Sequence, residues 1–340
     1  MSSIKNGRRP TARDVARVAG VSQPAVSRAF TEGASIAVET RDKVLRAAKE
    51  LGYRPNLIAR SLTTSRSRLV GVAMSYLENP FYPAMLERIA AILADAGYKV
   101  LLFTSPPGAP CEPLLEDVLR NRVDALILAS ASITSRFAEE CSRAGVPVVL
   151  VNRRTPGHRT STVTGMNEDG AVVIAERIAR AGHRRPAFMA GLENASTSQE
   201  RERGFLRGLV AAGLPEPLRV VGHFDFERAR SAMRALLALP KPPDAVFCAN
   251  DYMALAALQT LHEESALRPG RDISIIGFDD IPAAAWPSFA LSTFSQPYAL
   301  MAERVVARVL DQLRHPGRPA VEDVVPGSFL QRRSSRPVRA

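Results

Sequence analysis

At 340 residues and 46% apolar side chains, the chain has length for two or three domains and is too apolar to be disordered. Its net charge of +11 is uneven: residues 1–68 carry 14 Lys or Arg against 5 Asp or Glu, residues 69–331 carry 27 against 29, and the last nine residues add +4. Cys111, Cys141 and Cys248 are far apart and odd in number, which argues against a disulfide frame or metal site, and no run of 18 apolar residues occurs, so a cytoplasmic protein with no membrane partner is expected.

In chain order, Thr11 and Asp14 have the spacing of a capping box, which starts a helix whose apolar face is predicted from Val15, Val18 and Ala19. Gly20 allows a tight stop. Ser22 then caps a second helix with Pro24 in its first turn, where a missing N–H costs nothing. Val26, Ala29 and Phe30 form its buried side, leaving Gln23, Pro24, Ser27 and Arg28 together on the outer side. Two short helices around a glycine turn, the second with a polar outer stripe, have the form of a helix-turn-helix. Arg28 can pair with guanine and Gln23 with adenine, at about 1–3 kcal/mol of base discrimination each. An ordinary helical hairpin has the same pattern, but it does not require the basic charge that coincides with this one.

Val38–Leu51 is predicted as a third helix with Val44, Leu45, Ala48 and Leu51 inward, closing a small headpiece, and Gly52 ends it. After Pro55, Asn56 can cap one more short helix, on which Ala59 and Leu62 lie three apart. That spacing suits two copies packing closely while Leu62 wedges into a minor-groove step; it also suits a plain linker turn.

From Leu69 the pattern becomes strand–helix alternation. Strands are expected at 69–75, 99–104, 125–129, 147–151, 186–190, 219–222, 245–248 and 273–277. Helices are expected at 83–97, 113–121, 137–145, 169–182, 199–213, 228–239 and 253–264. Such alternation makes doubly wound parallel sheets, here in two series and so two lobes, whose strand ends can face each other across a cleft. The strand ends supply Ser75, the loop from Asn79 to Tyr82, Asn152-Arg153-Arg154, Phe224, Asn250-Asp251, Asp279-Asp280 and Gln296, with Arg201 at a helix start. Asn, Asp and Arg with aromatic rings suit a small polyhydroxylated or charged ligand. Asn250 serves equally well as a helix cap. The sequence carries none of the nucleotide-phosphate, zinc-protease or nucleophile-elbow motifs, the histidines lack metal-ligand spacing, and no cofactor is implied.

The segments TARDVARVAGVSQPAVSR, TRDKVLRAAKELGYRPNLIARSL, NPFYP, VPVVLVNRR, CANDYMALAALQTL, DISIIGFDD and LSTFSQP give the chain a strong resemblance to the LacI/GalR family of bacterial transcriptional regulators. The resemblance implies an α/β protein with an N-terminal three-helix helix-turn-helix headpiece (1–55) and a hinge helix and linker (56–68). A two-lobed periplasmic-binding-protein-like core follows (69–340; lobes 69–165 plus 296–330, and 166–295). It implies a dimeric repressor of a near-palindromic operator, controlled by a sugar, sugar acid or similar metabolite in the cleft. Gln23, Pro24 and Arg28 would face bases, Thr11, Ser22, Ser27 and Asn56 would lie near phosphates, and Ala59 and Leu62 would belong to the hinge. Ser75, Phe81, Asn152, Arg201, Phe224, Asn250, Asp279 and Gln296 would line the effector cleft.

Departures from the family pattern carry their own expectations. Pro24 has no side-chain hydrogen bond to offer a base, and Ala37 stands where a Ser usually caps the third helix, a difference of about 1 kcal/mol. Thr31 stands where Asn is common. Asn152 replaces a frequent Asp and Met166 precedes Asn167 where an Asp-Asn pair is common, so two anions fewer, beside Arg153 and Arg154, hint at an anionic effector. The absence of a leucine-rich tail argues against a tetramer. The alternatives are a solute-binding protein with the same core and a sugar-processing enzyme.

Overall fold

The computed structural model describes residues 10–31, 33–54, 66–104, 112–129, 135–154 and 160–338. The expected hinge residues Asn56, Ala59 and Leu62 lie outside them, as does Cys111. The chain forms two compact units, Met1–Ser67 and Arg68–Ala340.

The first unit holds α1 (Ala12–Ala19), α2 (Gln23–Ala29) and α3 (Val38–Leu51). The capping box is present: the Thr11 backbone N–H donates to Asp14 Oδ2 at 2.9 Å, and the Asp14 N–H donates to Thr11 Oγ1 at 3.4 Å. Gly20 and Gly52 end α1 and α3 in the left-handed conformation. Val15, Ala16, Val26, Ala29, Val44, Ala47 and Ala48 form the core, with the Phe30 and Tyr53 rings 5.8 Å apart at its edge.

Three local expectations change. Val18 is 46% exposed and Leu45 42% exposed, their places inside taken by Ala16 and Ala47. At about 100° per residue, each lies roughly 110° from the centre of its helix's buried stripe. Ser22 occupies the N-cap position of α2 but makes no side-chain cap, so its exposed hydroxyl is left outside the helix. Ala37, as expected, starts α3 without a side-chain cap.

The second unit has two six-stranded sheets. The first runs in the order β11-β5-β4-β3-β1-β2 and contains β1 (Leu69–Met74), β2 (Lys99–Thr104), β3 (Ala125–Ala129), β4 (Val148–Val151), β5 (Ser161–Gly165) and β11 (Glu322–Val325), all parallel. The second runs β12-β10-β9-β8-β6-β7, from β6 (Pro186–Ala190), β7 (Leu218–Val221), β8 (Ala245–Cys248), β9 (Ser274–Asp279), β10 (Ser292–Ser295) and β12 (Ser328–Leu330); only the β10–β12 pairing is antiparallel. Helices α4 (Phe81–Asp95), α5 (Glu112–Arg120), α6 (Ser135–Arg143), α7 (Asn167–Arg180), α8 (Ser196–Ala211), α9 (Phe226–Leu237) and α10 (Asp251–Glu264) alternate with these strands. The long α11 (Tyr298–Arg314) packs on α4 and the first sheet. Among the described residues no helix is long and apolar enough to cross a membrane.

The chain passes between the sheets three times, after β5, after β10 and after β11. These crossings are tightly packed. A Cβ on Gly165 would lie 2.2 Å from Gln296 Oε1, so only glycine lets the first and second crossings sit side by side. Strand β5, with the sequence STVTG, and strand β10, with STFS, have no continuous apolar run, yet eight of their nine residues are buried. They fell outside the expected alternation for that reason. Tail residues 331–336 are stitched to the second sheet, Ser334 Oγ donating to the Ile275 carbonyl at 2.6 Å and Ile275 N–H to the Ser334 carbonyl at 2.8 Å.

Candidate functional site

On α2, the pattern of buried Ala25, Val26 and Ala29 turns Gln23, Pro24, Ser27 and Arg28 outward, all four exposed. The stripe is polar, carries a cation in the last turn of the helix, and is held from behind by α1 and α3. Thr11 lies at the start of α1 and Ser22 at the start of α2, so both helices of the pair begin with a hydroxyl residue, Thr11 within its capping box and Ser22 without a side-chain cap. Such N-termini favour anions such as phosphates.

In the second unit, a cleft of about 540 Å³ opens at the carboxyl ends of the strands, with Tyr76, Asn79, Thr104, His223, Phe224 and Tyr252 in its lining. Six of the nine non-glycine residues with positive φ among the described residues stand at these ends: Tyr76, Asn152, His223, Phe224, Asp279 and Asp280. Backbone held in this region is costly and collects at ligand sites. The tip of the Phe224 ring abuts Gly191, where a Cβ would be 2.1 Å from Cζ. Glycine there lets the aromatic platform rest on backbone.

Beneath the lining is a buried polar cluster. Arg201 lies in the second turn of α8, because that helix begins at Ser196, three residues before its expected start. Its Nε donates to Asn167 Oδ1 at 2.9 Å, Nη1 to the Ala249 carbonyl and Nη2 to Asp279 Oδ1 at 3.2 Å, while Phe278 lies 3.8 Å below the guanidinium. Asp279 Oδ1 also accepts from Gln296 Nε2 at 2.6 Å. Burial pushes Asp279 up and Arg201 down, and each charge opposes the other's shift. Asn152 donates to Tyr82 Oη at 3.4 Å, and its Oδ1, like Gln296 Oε1 and Tyr76 Oη, has no partner among the described residues.

Of the eight expected effector residues, Phe224 lines the open cleft, and Arg201, Asp279 and Gln296 share one hydrogen-bonded network, with Asn152 on the facing lobe. Ser75 is buried at the end of β1. Phe81 turns into the core, edge-on to Tyr82 and Tyr298. Asn250 spends its Oδ1 on the Met253 N–H as the cap of α10. Tyr76, Thr197 and Asn167 were not singled out in the sequence. Tyr76 directly follows Ser75 and Asn167 lies at a sheet crossing, but nothing in the strand pattern marks Thr197.

Residues 11–56 match the bacterial regulatory proteins of the lacI family, and residues 175–335 match a periplasmic binding protein-like domain. The HTH-type transcriptional regulator CelR of Thermobifida fusca is 33% identical over 319 residues, covering 91% of this chain and 94% of its own. The chain belongs to the LacI family. GalS of Salmonella typhimurium, another HTH-type transcriptional regulator, is 34% identical over 86% of this chain and 87% of its own. Among solved structures, the lac repressor dimer bound to operator and the anti-inducer ONPF has a TM-score of 0.86 at 26% identity, covering 97% of this chain and 100% of that one. A CelR–cellobiose complex has a TM-score of 0.73 at 30% identity, covering 96% and 100%.

As a LacI-family protein it is a helix-turn-helix, DNA-binding transcriptional regulator with a periplasmic-binding-protein-like core, and its relatives are regulators rather than enzymes. The solute-binding and enzyme alternatives lose their basis, since neither accounts for a regulatory headpiece at residues 11–56.

Proposed function

We propose that this regulator is a cytoplasmic homodimeric repressor whose two headpieces occupy the half-sites of a near-palindromic operator. Gln23 and Arg28 read bases, Pro24 contributes shape, and Thr11, Ser22, Ser27 and Asn56 meet phosphates. The segment holding Ala59 and Leu62 pairs with its copy and wedges the central step. A sugar or sugar acid in the cleft of the core sets operator affinity. Coupling is a difference in ligand affinity between two lobe arrangements, and the same free energy then acts on DNA binding.

The observation that carries this reading is the one-sided α2, with Gln23, Pro24, Ser27 and Arg28 exposed against a buried Ala25-Val26-Ala29 face. The cellobiose named with a relative of high coverage supports a sugar-class effector. Selection of bound duplexes from a random library, using the full-length protein at physiological salt, is the test. A two-fold symmetric site with a flexible central step is expected; enrichment of an asymmetric or single half-site would refute the dimeric part.

A further inference from the structure

Two guanidinium groups lie behind the cleft, Arg153 at 3% exposed and Arg201 at 2%. Arg201 has an answering charge in Asp279 at 3.2 Å. Arg153 has none among the described residues. Its Nη1 donates to Thr197 Oγ1 and, at 3.4 Å, to the Asn152 carbonyl, and its Cζ stands 5.9 Å from the centre of the Phe224 ring. All of these partners are neutral. Arg154, by contrast, reaches Glu322 at 3.2 Å and Glu200 at 3.8 Å.

The charge of Asp279 reaches Arg153, but no carboxylate nearby pairs with it directly. Asp279 is shared by Arg201 and Gln296. Asp251 is sealed behind it, both oxygens taken by the Ile281 N–H and the Thr293 hydroxyl. Burial, reinforced by the charge of Asp279, pushes Asp251 up to about 7, so it carries only part of a charge at neutral pH. Glu200 accepts from the Asn167 amide, and Glu78 and Asp225 are exposed at the mouth, where water screens them. Arg153 is thus a buried guanidinium with no ion pair of its own among the described residues, an unfavourable arrangement unless an anion joins it.

The helix beside Arg153 adds to the imbalance. Thr197 is the second residue of α8, a 16-residue helix with no acidic residue in its first turn and no side-chain cap from Ala195. A cation is thus bonded at the positive pole of a helix, where an anion is the favoured neighbour. Around it, the unpartnered Asn152 Oδ1 and Tyr76 Oη are ready for hydroxyl groups.

We infer that the cleft ligand is a hydroxylated carboxylate of monosaccharide size, its carboxylate joining Arg153 at the start of α8; this rests on the effector reading above. A carboxylate brings one charge for one unmatched guanidinium and matches its planar fork. A phosphate ester brings about −1.5 to −2, more than one guanidinium matches.

Isothermal titration of the full-length protein tests this with D-glucuronate, D-galacturonate and D-gluconate against D-glucose and D-galactose, with glucose 6-phosphate as the rival anion. At least one acid should bind roughly 100-fold tighter than its neutral parent. Asn152→Asp, which places a carboxylate on the residue next to Arg153, should weaken the acid about 10-fold or more relative to the neutral sugar, and Arg153→Met should erase the acid preference. Equal or tighter binding of the neutral sugar, tighter binding of the phosphate ester, or an acid preference untouched by Asn152→Asp would overturn the inference. If a neutral sugar binds as tightly as its acid or tighter and changes operator affinity, the effector reading stands while this inference falls. If none of the six compounds binds, both fall.

Discussion

Arg201 Nη2 and Asp279 Oδ1 meet at 3.2 Å with both side chains sealed from solvent, and this pair ties α8 to the end of β9. Removing one member of a buried pair leaves the other charge uncompensated, at about 3–5 kcal/mol. Asp279→Ala should therefore lower the unfolding free energy of the core by about that amount in urea titrations. The double variant Arg201→Met, Asp279→Leu, which buries no charge, should cost less than Asp279→Ala alone; a larger cost would show that the pair stabilises by more than mutual neutralisation.

Arg28 stands exposed in the last turn of α2. Arg28→Ala should lower discrimination at one base pair of each half-site by about 1–3 kcal/mol, whereas Asn56→Ala should weaken binding to all sequences alike. Competition titrations of single-base operator variants separate the two, and unchanged selectivity in Arg28→Ala would reassign the reading face.

Ala37 begins α3 with extended backbone and no side-chain cap. Ala37→Ser adds an oxygen where the first turn has unpaired N–H groups and should stabilise the helix by about 1 kcal/mol. Amide exchange of Val44 and Ala48 in the full chain should slow roughly 5-fold under conditions where exchange follows local opening. Unaltered exchange would mean that tertiary contacts, rather than the cap, limit the opening of α3.

Asp251 is pushed up to about 7 by burial first and by the charge of Asp279 second. A carboxyl whose folded pKa is raised binds its proton more tightly in the folded state, so its contribution is most favourable at low pH. It declines as pH rises from about 4, its unfolded value, to about 7. Asp251→Asn keeps the shape and cannot ionise. The stability difference between wild type and Asp251→Asn should therefore shift against the wild type across pH 4–7, and a flat difference would show that Asp251 ionises freely in the fold.

The headpiece was readable in the sequence because its signals are local: Thr11 with Asp14, Gly20, Pro24 and Gly52 each act within a few residues, and all three helices fall where those residues place them. Single positions at the stripe edge, Val18 and Leu45, were not readable, because which flank is covered depends on the neighbouring helix. In the core, the apolar strands stood out, whereas the Ser- and Thr-rich β5 and β10 did not; their burial comes from neighbours distant in sequence. The same holds for the cleft. Residue type suggested Arg201 and Asp279 as ligand-facing groups, but only the fold shows that they neutralise each other and that Arg153 is the guanidinium left with neutral partners.

In the proposed function, cleft occupancy and operator binding share one coupling free energy. The direct measurement is a pair of titrations on full-length protein: operator affinity with and without saturating ligand, and ligand affinity with and without saturating operator. Both affinities should change by the same factor, typically about 5- to 150-fold. Operator affinity that is unmoved by a ligand shown to occupy the cleft would contradict it.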